Sequence, residues 1–250
     1  MLIDPQNSLP PQRFAENLAR IRARIRTAAL ESGRSVDQIT LVGASKGQSA
    51  AALDVACSAG LRDFGESYVQ DAMPKMAALA GIDAPIWHFI GALQANKTRA
   101  VAENFAWVHA IDRLRIAERL SEQRPFHAPA LNVCVQVNIG AEGSKGGVAP
   151  TALRQLLREI AALPRLKLRG LMCLPPPERD PMRQRYWLHQ LRELFESVNA
   201  DGAGLDTLSM GMSSDLEAAV QEGATLLRIG TALFGPRVAP PSPSHIQSPR

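Results

Sequence analysis

Short apolar runs rich in β-branched residues alternate along the chain with stretches whose apolar residues recur at helical spacing. The apolar runs predict strands at Ile39–Ser45, Arg62–Ser67, Trp87–Gly91, Trp107–Asp112, Asn132–Ile139, Leu168–Leu174, Thr207–Ser213 and Leu226–Gly230. The helical spacing predicts helices at Arg13–Leu30, Ala50–Ala59, Val69–Leu79, Asn96–Glu103, Leu114–Glu122, Thr151–Ala162, Arg183–Val198 and Ser214–Glu222. Because strands and helices alternate, the pattern indicates a parallel sheet covered by helices.

Two architectures are built from such strand–helix units. A doubly wound sheet usually has a glycine-rich turn after its first strand, but no G-x-G-x-x-G follows Ile39–Ser45. The chain has 250 residues, the typical length of a barrel being about 250. We therefore predict one α/β domain, a (β/α)8 TIM barrel with an extra N-terminal helix, over residues 12–238. Residues 1–11 are predicted to be a flexible N-terminus, and residues 239–250 a disordered tail rich in proline and serine.

The chain has a formal net charge of +4 and a pI near 9.2, which raises the question of a nucleic-acid partner. Its arginines are dispersed, and the sequence contains no helix-turn-helix, zinc-finger or RNP pattern. On the first helix, arginines such as Arg24 lie opposite an apolar stripe made of Phe14, Leu18, Ile21 and Ile25. This is typical of an outer helix with a solvated face, so we expect no nucleic-acid partner.

The remaining composition points to the cytoplasm. No apolar run reaches the roughly 18 residues of a membrane helix, and the N-terminus lacks the basic-then-apolar order of a signal peptide. The three cysteines form no C-x-x-C pair, so we expect no disulfide framework. His88 and His109 lack metal-ligand spacing, and we interpret them as hydrogen-bonded strand histidines. We expect a cytoplasmic monomer with no membrane partner and no metal site.

Lys46 is the first candidate for chemistry, because it stands where the apolar run Ile39–Ser45 passes into a loop. A lysine in this place is either a surface charge that closes a strand or an amine held in a pocket to meet a carbonyl. In a barrel, the loops after the strands form the ligand-binding face. Lys46 is therefore predicted to lie on that face.

The loop after the seventh strand is a candidate anion site. Ser214 and Glu217 have the spacing of a capping box, which predicts the start of a helix. Gly211 has no Cβ, so the backbone there could approach an anion closely. A plain capped loop that needs one small residue is the alternative.

The eighth strand strengthens the anion-site hypothesis. Arg228 interrupts an apolar run that should be central in the sheet, and an unpaired buried guanidinium is costly. Arg228 is therefore expected to meet an anion, an acceptor or water, with a structural salt bridge as the alternative. Gly230 and Thr231 follow where a short helix would begin, and backbone N–H groups at a helix start bind anions.

An amine on one side of the barrel mouth and an anion site on the other suggest a phosphorylated aldehyde. Pyridoxal 5′-phosphate (PLP) has both groups, because its aldehyde can react with Lys46 while its phosphate is held at the other end. An aldolase that forms a Schiff base between Lys46 and a sugar phosphate, without a cofactor, is the alternative.

Several longer motifs carry a family resemblance. They are Val42–Lys46, Phe64–Gln70, Trp87–Lys97, Gln136–Asn138, Gly170–Met172, Leu208–Ser213 and Arg228–Gly235. With these motifs the chain resembles the YggS/PROSC family of pyridoxal-phosphate homeostasis proteins, which is itself similar to the barrel domain of alanine racemase without its second domain.

The resemblance implies a role for each matched residue. It implies a Schiff base between Lys46 and PLP, with Arg228 near the cofactor. It also implies that four residues hold the phosphate, namely Ser209, Met210, Gly230 and Thr231. The chain departs from the family in three places. The family usually has asparagine in place of Ser67 and often histidine in place of Ala92, and the proline common shortly after the lysine is missing, with Gln48 and Ser49 in its neighbourhood.

Whether such a protein is an enzyme or a carrier depends on which of its side chains can act as bases on a bound substrate. A racemase needs a base on each face of the substrate, and alanine-racemase-like enzymes take one from a second domain. Tyr68 and Tyr186 are the two tyrosines of this chain. An arginine beside the pyridine nitrogen would also disfavour its protonation and weaken the ring as an electron sink. The resemblance therefore implies PLP homeostasis without substantial catalysis, with apo-PLP enzymes as recipients, and a racemase-like PLP enzyme as the alternative.

Overall fold

The computed structural model describes residues 9–81, 85–143 and 146–235. The predicted tail at 239–250 and most of the predicted N-terminal segment lie outside these residues. Within them, eight parallel strands form a closed barrel in which each strand pairs with the next along the chain and β1 also pairs with β8. The strands are β1 (Thr40–Ala44), β2 (Asp63–Glu66), β3 (Ile86–Phe89), β4 (Trp107–Ile111), β5 (Leu131–Gln136), β6 (Leu166–Met172), β7 (Thr207–Ser209) and β8 (Leu226–Ile229). The prediction of a TIM barrel is confirmed.

Helices cover the outside of the barrel, and one follows every strand. They are α1 (Pro11–Glu31), α2 (Ala50–Ser58), α3 (Val69–Ala78), α4 (Thr98–Asn104), α5 (Leu114–Gln123), α6 (Leu153–Ala161), α7 (Pro181–Ala200), α8 (Leu216–Gln221) and α9 (Thr231–Phe234). The main core lies between the strands and these helices and is built from aliphatic and aromatic side chains. A smaller apolar cluster inside the barrel contains Ala110, Cys134 and Met172.

The extra N-terminal helix, α1, packs against α8 and α9. Its apolar stripe is buried, as predicted, from Phe14 to Ile25. Phe14 contacts Phe234 of α9, with ring centroids 5.4 Å apart, and the Asn17 amide donates to the carbonyl oxygen of Leu233 at 3.1 Å. The helix therefore fixes the segment that follows β8, where the predicted anion site lies.

The predicted capping box at Ser214 and Glu217 is wrong. Helix α8 begins at Leu216 after Asp215, so Glu217 is one residue too early to reach back to the cap. Its carboxylate instead forms a two-point ion pair with Arg24 of α1, with Nε–Oε1 at 2.6 Å and Nη2–Oε2 at 2.8 Å. The Arg24 hydrogen bond lowers the pKa of the Glu217 carboxyl. Arg24 thus joins α1 to α8 and is not part of a purely solvated face.

A buried carboxylate joins α7 to the end of α8. The Glu222 side chain is 1% exposed and accepts hydrogen bonds from Arg185 and, at 2.8 Å, from His189 Nδ1. Arg192 Nη1 lies 3.3 Å from Oε2. Burial raises the pKa of Glu222, but the hydrogen bonds from Arg185 and His189 outweigh it, and the net shift is downward.

Replacing this glutamate, Glu222→Gln, is expected to lower the free energy of unfolding by about 2 kcal/mol at neutral pH, the usual contribution of hydrogen bonds to a charged group. Because the folded-state pKa lies below that of an unfolded glutamate, about 4.3, the stabilisation is complete above that value and is lost as the pH falls through the folded-state pKa. Urea titrations of variant and wild type should therefore converge towards pH 3. The exposed Glu122, changed to glutamine, is the control, and a loss independent of pH would contradict the assignment.

Candidate functional site

A cavity of about 720 Å³ opens at the C-terminal end of the barrel. A volume between about 300 and 1,000 Å³ is typical of small-molecule sites. Residues from the ends of the strands and the loops after them line it, among them Ala44, Lys46, Gln48, Ser67, Tyr68, Ala92, Gln94, Asp112, Gln136, Met212, Ser213, Ser214, Arg228, Gly230 and Thr231. Ser67 and Ala92, two of the positions that depart from the family pattern, are in this lining.

Lys46 lies on the cavity wall because β1 ends at Ala44 and the chain then turns. Gly47, with φ of 74°, makes the turn, and Ser49 caps α2 by accepting a hydrogen bond from the Ala52 amide at 3.2 Å. Ser45 points the other way and is fully buried. The alternation of side chains at the end of β1 therefore directs Lys46 to the ligand-binding face, as predicted.

A buried ion pair supports the Lys46 loop from behind. Lys75 Nζ of α3 donates to Glu66 Oε1 at 2.6 Å and to the Ser45 carbonyl oxygen at 2.9 Å. The Ser45 hydroxyl donates to the same Glu66 oxygen at 2.6 Å. The side chains of Glu66 and Lys75 are 0% and 8% exposed. This pair was not predicted from the sequence, where its one local signal is a lysine in a helix that otherwise carries an apolar face.

Arg228 reaches the cavity from β8 and is held by neutral groups. Its Nη1 donates to Ser209 Oγ at 2.7 Å, and its Nη2 donates to the carbonyl oxygen of Cys173 at 2.9 Å. Among the described residues, the ion pairs do not include Arg228. Burial lowers the pKa of its guanidinium, and the electrostatic attraction of Asp215 partly opposes this shift. The sequence left a structural salt bridge open as an alternative for Arg228. In the structure, two neutral acceptors bind the guanidinium instead.

Gly230 and Thr231 lie beside Arg228 and line the cavity at the start of α9. A Cβ added at Gly230 would lie 3.3 Å from the Ala44 carbonyl oxygen, which explains the small residue. The first N–H groups of a helix have no acceptor within the helix. One of them, on Ala232, is 3.4 Å from Ser213 Oγ. The loop after β7 and the start of α9 therefore meet at one edge of the cavity.

Ser209 and Met210 do not line this cavity. Both are fully buried, and Ser209 Oγ contacts Arg228 and His109 within the barrel. Gly211, with φ of 94°, turns the chain towards the cavity, so this loop reaches the cavity only after that residue. The residues of this loop that line the cavity are Met212, Ser213 and Ser214. The pair of serines after a glycine turn is the signal that could have identified them.

His88 and His109 are buried and hydrogen-bonded, which confirms their interpretation as strand histidines. Within the described parts of the chain, no group of three His, Cys, Asp or Glu side chains is placed to hold a metal ion. Over the same residues, no helix combines the length and apolar character needed to cross a membrane.

A barrel with a lysine after β1 and an arginine on β8, both facing one cavity, defines a class of lysine-bearing TIM-barrel proteins. Residues 12–238 match the family described as alanine racemase, N-terminal domain. The chain belongs to this family.

Similar proteins refine the assignment. The chain is 55% identical over 225 residues to a Pseudomonas aeruginosa protein named pyridoxal phosphate homeostasis protein, covering 90% of this chain and 96% of that one. It is 48% identical over 226 residues to the protein of the same name from Escherichia coli, covering 90% of this chain and 97% of that one. The structure of PipY from Synechococcus elongatus with PLP bound has a TM-score of 0.78 and 34% identity, covering 89% of this chain and 100% of that one. The resemblance drawn from the motifs is confirmed.

Proposed function

We propose that this chain binds PLP covalently, with the Lys46 amine forming a Schiff base with the aldehyde carbon and releasing water. The observation that carries the proposal is that Lys46, Ser213 and Thr231 line one cavity, which places an amine and two hydroxyl groups around the same space. The names of the relatives and the PLP-bound PipY structure support the same ligand.

The phosphate is proposed to lie at the edge where the loop after β7 meets α9. The Ser213 and Thr231 hydroxyls and the N–H group of Thr231, the first residue of α9, are the proposed donors there, and Gly230 lines the cavity beside them. Backbone N–H groups at a helix start suit a phosphate. Ser209 and Met210 are buried below this edge, so their role in holding the phosphate stays a prediction, and Ser213 is the better placed residue.

The bound cofactor is proposed to be stored and delivered to apo-PLP enzymes, and not used for substantial catalysis. When bound, PLP supplies an electrophilic aldehyde and a ring that can act as an electron sink. Arg228, a cation whose hydrogen-bond acceptors among the described residues are neutral, is a poor partner for a protonated ring nitrogen. We propose that the protein acts in this way as a cytoplasmic monomer.

A racemase-like PLP enzyme is the second candidate. It is favoured by Tyr68, which lines the cavity and could act as one base. The other tyrosine, Tyr186, is on α7 and is not part of the lining. One aromatic hydroxyl at the rim supplies a base for one face of a substrate only.

Titration of the purified protein with PLP tests the proposal. We expect a visible absorbance band that saturates at one PLP per chain, and weaker binding of pyridoxal, which lacks the phosphate, by about 100-fold (roughly 2.7 kcal/mol). A protein that stays colourless would contradict PLP binding. Amino-acid racemisation by the loaded protein at ordinary enzyme rates, about 1 per second or faster, would instead favour the second candidate.

A further inference from the structure

A row of polar side chains crosses the inside of the barrel from one mouth to the other. It begins at Asp63, the first residue of β2, whose side chain is 20% exposed. His88 Nε2 lies 2.9 Å from Asp63 Oδ1, and His88 Nδ1 lies 2.9 Å from His109 Nε2. His109 Nδ1 lies 2.7 Å from Ser209 Oγ, which accepts from Arg228. The row therefore links the N-terminal mouth to the arginine of the cavity.

The chemistry of the two ends fixes the direction of every hydrogen bond in the row. Arg228 can only donate, so Ser209 Oγ accepts from it, and an ionised Asp63 can only accept, so His88 Nε2 donates. A neutral imidazole has one N–H group, so His88 Nδ1 accepts from His109 Nε2. His109 Nδ1 then accepts a hydrogen bond from the Ser209 hydroxyl. One arrangement of protons satisfies all of these atoms.

Neutral imidazoles are what the surroundings favour. Burial lowers the pKa of His88, although its hydrogen bond to Asp63 opposes this. Burial lowers the pKa of His109 well below its usual value, and the neighbouring His88 and Arg228 lower it further. The ring of His88 is also stacked on Trp107, with centroids 5.6 Å apart and planes within 10°. The first imidazole is therefore fixed in its plane as well as in its tautomer.

We propose that Asp63, His88 and His109 are positioning residues for Arg228. Because His109 Nδ1 accepts a hydrogen bond from the Ser209 hydroxyl, the Ser209 oxygen is oriented as an acceptor towards Arg228. This hydrogen bond holds the guanidinium at the cavity wall. Without the row, the Ser209 hydroxyl is free to rotate, and Arg228 keeps only the Cys173 carbonyl oxygen as a fixed partner. This inference rests on the proposed function, because its effect is on PLP held beside Arg228.

The test compares variants that break the row with variants that keep its pattern of donors and acceptors. His109→Phe and Asp63→Leu break it, whereas His109→Gln supplies one donor and one acceptor, and Asp63→Asn keeps an acceptor without the charge. PLP binding and the visible absorbance maximum are measured by titration, and the fold by circular dichroism and thermal unfolding. His127→Phe, the same change at an exposed histidine, is the control.

We expect the row-breaking variants to bind PLP about tenfold more weakly, the loss of one hydrogen bond to a charged group, and to shift the absorbance maximum. His109→Gln and Asp63→Asn should recover most of the affinity and the wild-type spectrum. If His109→Phe fails to fold, Asp63→Leu and Asp63→Asn decide the question. Wild-type affinity and spectrum in a folded row-breaking variant would overturn the inference, whereas failure of the wild type to bind PLP would overturn the proposed function instead.

Discussion

The change Lys46→Ala is expected to abolish the visible absorbance of the PLP-loaded protein and to weaken PLP binding by at least about 100-fold, or roughly 2.7 kcal/mol. Lys46 lines the same cavity as Ser213 and Thr231, so its amine is placed to meet the aldehyde when the phosphate lies beside those two residues. Alanine leaves the proposed phosphate contacts in place and removes the amine of the proposed covalent link. Absorbance titration and the rate of PLP loss on dilution measure the two effects.

Free PLP also reacts with surface lysines, so the prediction needs a matched control. Lys167 is an exposed lysine on β6, near the opposite end of the barrel, and Lys167→Ala should leave the band and the affinity unchanged. Reduction of the loaded wild type with borohydride, followed by peptide mapping, should place the modification on Lys46. A map that places most of the label on another lysine would reject Lys46 as the anchor.

Removing the cation behind the site, by Lys75→Met, is expected to destabilise the fold by about 3–5 kcal/mol, the usual cost of leaving one partner of a buried ion pair uncompensated. Glu66 is fully buried, and its Oε2 has no hydrogen-bond partner within the described residues. Lys75 supplies the cation for this carboxylate and also holds the Ser45 carbonyl oxygen. Urea denaturation of the variant without cofactor measures the loss.

The double variant Glu66→Gln and Lys75→Met separates the ion pair from its surroundings. Because it removes both charges, it should recover part of the stability lost in Lys75→Met, and the recovered part measures the cost of the unpaired carboxylate. Lys167→Met, at an exposed position, should change the stability by less than about 0.5 kcal/mol. A double variant no more stable than Lys75→Met would show that the cost comes from lost packing and not from charge.

The barrel was predictable from the sequence because its evidence is local. Each strand is a short apolar run, and the helical periods between the strands exclude hairpins, so the order of elements determines a parallel sheet. Lys46, Arg228, Gly230 and Thr231 were also predictable as neighbours, because the carboxyl ends of parallel strands meet at one mouth. All four line the same cavity.

What could not be predicted depends on register or on distant partners. The family resemblance implied a phosphate role for Ser209, but β7 ends there and its buried hydroxyl contacts His109 and Arg228. Glu217 has the spacing of a capping box, yet its partner is Arg24, far away in the sequence. The row from Asp63 to Arg228 needs the relative heights of β2, β3, β4, β7 and β8, which no local pattern contains.

The pairing of β1 with β8 has a consequence for the order in which the protein is made. Lys46 follows the first strand and Arg228 lies on the last, and Val42 is in register with Arg228 across the seam. A nascent chain that has not yet released β8 from the ribosome therefore has Lys46, the proposed site of the Schiff base, but neither Arg228 nor the Gly230 and Thr231 that follow it. On the proposed function, the aldehyde is therefore captured by chains whose synthesis is nearly complete. A ligand bound to both Lys46 and the residues after β8 then stabilises the closed barrel by mass action.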